Sequence, residues 1–569
     1  MRIYFSISII AVVLSIALSV KAGGMELLPG GSKAAARGGA SAARPDDPMT
    51  LLLNPAGMAL IPGVQLLINT DIPFLDMCVD PYGYYGWGTV RRTGVSEFGD
   101  SGEVEYDDNG DPIIGATYAT DPMDKLCNSA GVIPFPHVAL VIPVIDGLSI
   151  GLGFVTSTMM TGIQWGGSDG TIKTEDGGRP TPTRYQLIRQ KVAFGLDPTV
   201  GVAYRPLHWL QVGLSLQAYM ADVESRVVQA NDPTTSPHAD MLVDLSADDY
   251  FLPALNFSIH ATPITSLELM LGFRWMDDFN GSGRVVHTTN TYQEGNATER
   301  EPFKNEPIIL DKVRVPFPWS MTFAIRYAEL YRQRRTAKEK WHTERDPLYH
   351  ELWDIELDVT YSFNKRSGTA SIGFEKEDAE IIFLNPEPES IPVNAATINQ
   401  FNFDRHLKDT IAVRLGGSYS VFPRLASINT GVFFESRGVD PDYANIDLFA
   451  FQRIGIGVGI LTSFGAFESI TSYTHIFEEE VLVAPPEHDD YFNSSSRDAT
   501  KGFDKRVGGS EGVVLEDPDA PSPSEADGVA RLRQSALADR DPQRFGRVVN
   551  AGKYTGGYDI ISLGLVYRF

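Results

Sequence analysis

Residues 312–327 read KVRVPFPWSMTFAIRY, and every odd position carries an apolar side chain: Val313, Val315, Phe317, Trp319, Met321, Phe323, Ile325 and Tyr327. A period of two sends successive side chains to opposite faces, so the stretch predicts a β-strand with one greasy face. The even positions, Arg314, Pro316, Pro318, Ser320, Thr322, Ala324 and Arg326, are polar or small. They suit the second face of a wall that meets water or another part of the chain.

Residues 352–363 repeat the pattern, with Trp353, Ile355, Leu357, Val359, Tyr361 and Phe363 on one face and Asp354, Glu356, Asp358, Thr360 and Ser362 on the other. A soluble sheet edge can carry one such segment. Here fourteen candidates follow one another, at about 63–71, 137–144, 147–157, 191–205, 209–221, 253–262, 266–276, 312–327, 352–363, 408–421, 425–435, 450–461, 466–477 and 556–569. An even set of alternating segments is the signature of a bacterial barrel. The expected fold is all-β: a 14-stranded antiparallel transmembrane β-barrel over residues 63–569.

The ends and the composition support the same class. Residues 1–22 hold Arg2, an apolar run from Ile3 to Val20 and a small residue, Ala22, which reads as a cleaved secretory signal. Beyond it no apolar stretch reaches the length of a spanning helix, so a membrane-embedded mature chain must be a closed barrel. A net charge of −25 argues against nucleic acid, whose phosphates require clustered Lys and Arg. No nucleophile elbow and no His-Glu-x-x-His motif occurs, so the chain is not read as an enzyme, and no cofactor or metal is assigned.

Connections alternate between long and short. Short turns are expected at Ile145-Asp146, Pro206–His208, Pro263–Thr265, Phe422–Arg424 and Ser463–Gly465. Long loops are expected at 73–136, 158–190, 222–252, 278–311, 364–407, 436–449 and 478–555. In outer-membrane barrels short turns face the periplasm and long loops the exterior. One turn is interrupted by a charged insertion, 328–351, read as a short solvated helix that could also meet a periplasmic partner. The last loop is rich in carboxylates, which bear on contact with lipopolysaccharide, but it lacks a calcium-loop spacing. Cys78 and Cys127 fall in the first long loop, and an oxidising compartment favours their pairing as a disulfide.

Residues 23–62 are rich in small residues and lack strand-length alternation, which fits compact turns packed inside a barrel. Here the sequence resembles the FadL family of outer-membrane long-chain fatty-acid transporters. The run from Gly31 to Ala40 and the motif Asn54, Pro55, Ala56, Gly57 resemble that family's N-terminal plug. Asp409-Thr410 leading into Arg414–Tyr419 resembles its tenth strand, and Tyr473–Phe477 its thirteenth. The alternating end of the chain, with Tyr567 and Phe569, looks like the signal read by the barrel assembly machinery.

The resemblance implies a monomer that takes a lipid or other small hydrophobic ligand. The solute would be captured among outer loops, admitted past a moving plug and released sideways through the wall. In the family the gap lies beside a kink in the third strand, where Gly151 and Gly153 stand here; ordinary lumen-facing small residues that make room for the plug are the other reading. By parity Arg314, Arg326, Lys408 and Arg414 face inward and could meet a ligand carboxylate, although Asp354, Glu356 and Asp358 are competing partners. A surface adhesin or receptor built on the long loops remains the alternative function.

Overall fold

The computed structural model describes residues 30–81, 92–93, 103–104, 124–156, 162–168, 170–174, 177–184, 186–195, 197–229, 241–289, 303–304, 306–331, 347–374, 400–444, 446, 449–483 and 552–569. The expected signal segment, most of the charged insertion and most of the last loop lie outside these residues. Among the described residues no helix is long and apolar enough to cross a membrane.

The chain closes into a barrel of fourteen antiparallel strands. They are β1 (Gln65–Pro81), β2 (Phe135–Ile145), β3 (Leu148–Val155), β4 (Arg189–Phe194 and Pro198–Leu207), β5 (Leu210–Gln229), β6 (Met241–Ile264) and β7 (Leu267–Met276 and Phe279–Thr289). The ring continues through β8 (Ile308–Val315 and Ser320–Leu330), β9 (Glu351–Ser362 and Thr369–Phe374), β10 (Gln400–Asp404 and Thr410–Phe422), β11 (Ala426–Glu435), β12 (Arg453–Phe464), β13 (Phe467–Glu478) and β14 (Gly552–Arg568). Each pairs with the next, and β1 pairs with β14 from Gln65 opposite Arg568 to Pro81 opposite Gly552. That last ladder removes the free edges of the sheet.

Alternation decides which way each side chain points. On β9 Asp354, Glu356 and Asp358 are buried in the lumen, while Trp353, Ile355 and Tyr361 are exposed outside. On β8 below residue 320, Met321, Phe323, Ile325 and Tyr327 face outward and Ala324 and Arg326 inward. Near the short-turn end the outward face carries rings in contact: Tyr327 on Trp353 at 5.7 Å, Phe467 on Tyr567 at 4.9 Å and Tyr567 on Phe569 at 4.7 Å. An apolar outer band edged by aromatic rings is what a wall immersed in lipid requires.

The stretch at 312–327 is not one strand. Pro316 and Pro318 cannot donate to the ladder, and the chain leaves it between Val315 and Ser320. Parity changes across the gap: Val313 and Phe317 turn inward and are buried, and the Arg314 side chain turns outward, 48% exposed. Neighbouring strands break or bulge at similar points, after Phe194 and before Pro198 in β4, at Tyr250-Phe251 in β6, Asp277-Asp278 in β7, 363–368 in β9 and 405–409 in β10. Carboxylates hold these breaks. Asp197 accepts the Met220 amide, Asp249 accepts those of Phe251 and Asn280, and Asp409 accepts that of Lys365. Above them the wall rises as a second storey, through segments that composition alone assigns to loops.

Cys78 and Cys127 form a disulfide, tying the upper part of β1 to the short strand Leu126–Cys127 across 49 residues. By loop-closure entropy a ring of that length stabilises the fold by about 4 kcal/mol. Cys78→Ser is therefore expected to lower the thermal unfolding temperature of the detergent-solubilised protein, measured by circular dichroism. The reductant that shifts the parent to the same extent should leave the variant unchanged.

Candidate channel interior

Residues 30–61 lie inside the barrel. They form a short helix α1 (Ser32–Ala36), a single turn α2 (Thr50–Leu53) and a 3-10 turn (Pro55–Leu60), and almost every side chain is buried. A segment this rich in Ala and Gly makes little helix alone, so it is shaped by the wall around it.

Its first half is held by charge. Arg37 donates to both Asp354 oxygens, at 3.0 and 2.9 Å, and to Glu356 at 2.8 Å. Arg44 reaches Asp46 at 2.8 Å and Asp354 at 3.4 Å. On the wall Arg326 donates to Glu268 at 2.6 Å, to Asp354 at 2.7 Å and to Glu351. The Ser41 and Ala42 amides both donate to Asp358 and the Ala43 amide to Glu356. On the opposite side Lys33 contacts Glu468 at 2.5 Å and Asp46 at 3.3 Å, and the Gly31 amide donates to Asp71.

Burial works against the charge on Lys33, but Asp46, Glu468 and Asp47 outweigh it and hold the ammonium above its ordinary range. Burial likewise opposes the Asp46 charge, and Lys33 and Arg44 prevail, keeping that carboxyl well below the usual range. At Asp47 burial wins over Lys33 and lifts the carboxyl to about 6.

The second half is held by shape. Asn54 caps the 3-10 turn by accepting from the Gly57 amide at 3.3 Å, donates to the Ala42 carbonyl at 2.8 Å and lies 3.0 Å from His260. The Ala56 amide donates to Ser258 at 2.8 Å. Leu51 and Met58 rest on β3 and β4 at Gly151 and Gly201, where an added Cβ would come within 2.6 Å of Leu51. Under the first half, a Cβ on Gly431 would stand 2.0 Å from the Arg37 carbonyl oxygen and one on Gly457 2.1 Å from that of Ala35.

Above this polar, filled storey the lumen turns apolar. Over β5–β8 lies a cluster that includes Tyr219, Leu252, Met276, Phe279, Leu310, Val313 and Phe317. Over β1 and β11–β14 the connection after β11 folds inward, packing Phe449 and Phe451 against Trp165, Phe433, Tyr554 and Ile476.

The residues singled out in sequence therefore have different positions. Arg326 and Arg414 face the lumen, Arg326 within the acidic group and Arg414 donating to Thr360 at 2.9 Å. Arg314 does not face it, because the proline break reverses parity; together with Arg366 it binds Asp278 on the outer side. Lys408 lies off the strands between Asp404 and Thr410, half-exposed and paired with Asp440. Gly151 and Gly153 sit in unbroken ladders with Val141 and Ala139 on one side and Gly201 and Thr199 on the other. An added Cβ on Gly151 would meet Leu51 and Met58, and one on Gly153 would meet the Val138 carbonyl oxygen at 2.7 Å and Leu51 at 3.3 Å. Arg37, Arg44 and Lys33 escaped the sequence reading, as did the upper aromatic cluster.

Among solved structures the barrel overlies a Pseudomonas aeruginosa FadL homologue, covering 97% of this chain and 100% of that one with a TM-score of 0.59 at 12% identity. The chain has the FadL fold. The same fold is seen in the Pseudomonas putida toluene transporter TodX, covering 96% of this chain and 99% of that one, TM-score 0.53 at 10% identity. The Ralstonia pickettii toluene transporter TbuX matches over 95% of this chain and 98% of its own, TM-score 0.50 at 11% identity. No family model and no curated protein matches the sequence. The likeness to the FadL fold thus rests on the path of the chain rather than on shared residues.

Proposed function

We propose that the protein is an outer-membrane channel for uptake of small hydrophobic molecules, with residues 30–61 as its plug. The observation that carries this is the division of the lumen. A pore for ions or sugars needs a polar lining along its length, whereas here aromatic and aliphatic side chains fill the storey nearest the long loops. A solute leaving water for such a chamber gains the full benefit of apolar burial. The charged storey beneath blocks its onward path, so passage requires the plug to shift or the solute to leave sideways.

The sideways route has a candidate in the wall. Where β4 breaks, the Val155 amide of β3 donates to the Asp197 carbonyl, and the Val155 carbonyl accepts instead from the Gln217 side chain, at 3.1 Å, reaching across from β5. A side chain completes the wall there in place of a strand. Release at this point would deliver the solute directly into lipid.

The test is uptake of a radiolabelled neutral hydrocarbon by cells that lack such a route. Expression is expected to raise the rate several-fold over an empty vector. Leu252→Asn, which puts an amide into the β5–β8 chamber, should reduce it by about the tenfold that one misplaced buried polar group represents. Assembled protein that takes up no more hydrocarbon than the vector control overturns the proposal.

A further inference from the structure

We propose that the aromatic cluster over β11–β14 holds a subsite for the protonated amine of an aromatic or alkyl amine, with Glu478 as its counter-ion. This rests on the reading of the chain as a channel for hydrophobic solutes and adds one class of cargo to it.

Three inward residues share one register row, Glu435 on β11, Arg453 on β12 and Glu478 on β13, and Tyr558 on β14, opposite Ile476, lies one inward position below them. Arg453 stands opposite both carboxylates in register and donates to Glu435 at 2.6 Å. Tyr558 donates to Oε2 of Glu478 at 2.8 Å, and the Phe451 amide donates to the same carboxylate. The row holds two carboxylates and one guanidinium. Glu435 takes the guanidinium, and among the described residues the buried Oε1 of Glu478 has no hydrogen-bond partner.

The placement of that carboxylate depends on the neighbouring strand. A Cβ on Gly556 would lie 2.0 Å from Oε2 of Glu478, so a side chain there would push the carboxylate away. Beside it, Phe449, Phe451 and Tyr554 form a triangle with centroids 5.1, 5.8 and 6.0 Å apart, and each ring is almost wholly buried. Aromatic faces next to a carboxylate that still has an acceptor free attract an ammonium group attached to an apolar body. A neutral hydrocarbon would leave that acceptor without a donor, and a carboxylate ligand would bring it none.

The test measures binding of three probes of similar size to the full chain in detergent: 2-phenylethylamine, ethylbenzene and 3-phenylpropanoate. The amine is expected to bind about tenfold more tightly than the carboxylate, as a desolvated charge pair allows. E478Q should lose that preference while its ethylbenzene affinity stays within about twofold, since the substitution keeps the shape of the side chain. Amine binding no tighter than that of the carboxylate, or unaltered in folded E478Q, overturns the subsite. Ethylbenzene binding without amine preference would remove the subsite alone, whereas amine binding without ethylbenzene binding would remove the hydrocarbon reading alone. Should E478Q fail to fold, carbodiimide labelling of Glu478 in the parent protein decides the matter: 2-phenylethylamine should protect it and ethylbenzene should not, and equal labelling with and without the amine overturns the subsite.

Discussion

Arg326→Met is expected to destabilise the folded barrel by about 3–5 kcal/mol, the usual cost of leaving buried charges without their counter-ion. The guanidinium is fully buried and serves Glu268, Glu351 and Asp354 together. Methionine preserves much of the volume but returns none of the hydrogen bonds. Asp354 would keep Arg37 and Arg44, and Glu268 would keep His260 at 3.1 Å, so the wall should still assemble. Urea titration of the refolded protein, followed by tryptophan fluorescence, reads the change. Arg314→Met is the matched control: that side chain is half-exposed on the outer face, where an ion pair contributes about 0–1 kcal/mol. Equal losses in the two variants would show that the buried acidic group does not hold the structure as described.

Gly431→Val should expel the first half of the plug while the wall remains closed. A Cβ at this position would meet the Arg37 carbonyl oxygen at 2.0 Å and its carbon at 2.2 Å, backbone atoms with no rotamer to retreat into. The wall cannot yield readily, because Gly431 is laddered to Gly416 on β10 and Gly457 on β12. The plug is the partner with fewer backbone bonds to lose. Ion conductance in a planar bilayer is expected to rise well above that of the parent. Gly557→Val, where an added Cβ meets only a carbonyl oxygen at 3.5 Å, should leave conductance unchanged. A Gly431→Val barrel as tightly closed as the parent would show that the segment can be reseated without leaving the lumen.

The lower wall was legible in the sequence because one physical condition acts on every strand there: lipid outside, a filled polar lumen inside. Alternation at 320–330 and 352–362 records that condition residue by residue. Above the breaks it no longer applies, since the inner face there carries the apolar clusters. Val313 and Arg314 accordingly exchange sides, and a reading that extends the lower pattern through Pro316 places them wrongly.

The plug's ionic contacts were illegible for a different reason. Arg37 and Asp354 are 317 positions apart, and the parity of a wall strand gives the direction of its side chains without naming what they meet. Asn54 was better placed for inference because its cap to Gly57 is local. The lumen glycines announced a need for space, but whether plug, ring or solute occupies it depends on the third dimension: Gly457 makes way for Ala35, and Gly455 for the ring of Phe433.

The ladder between β1 and β14 also constrains the order of assembly. The segment at 30–61 enters β1 directly, and the wall around it becomes a ring only when β14 takes its place beside β1. Once that seam is zipped, Arg37 and Lys33 would have to be stripped of their partners to be threaded in from either mouth. The plug must therefore be seated while the sheet is still an open trough, its carboxylates waiting on β9 and β13, and the final strand fastens a vessel that already holds its stopper.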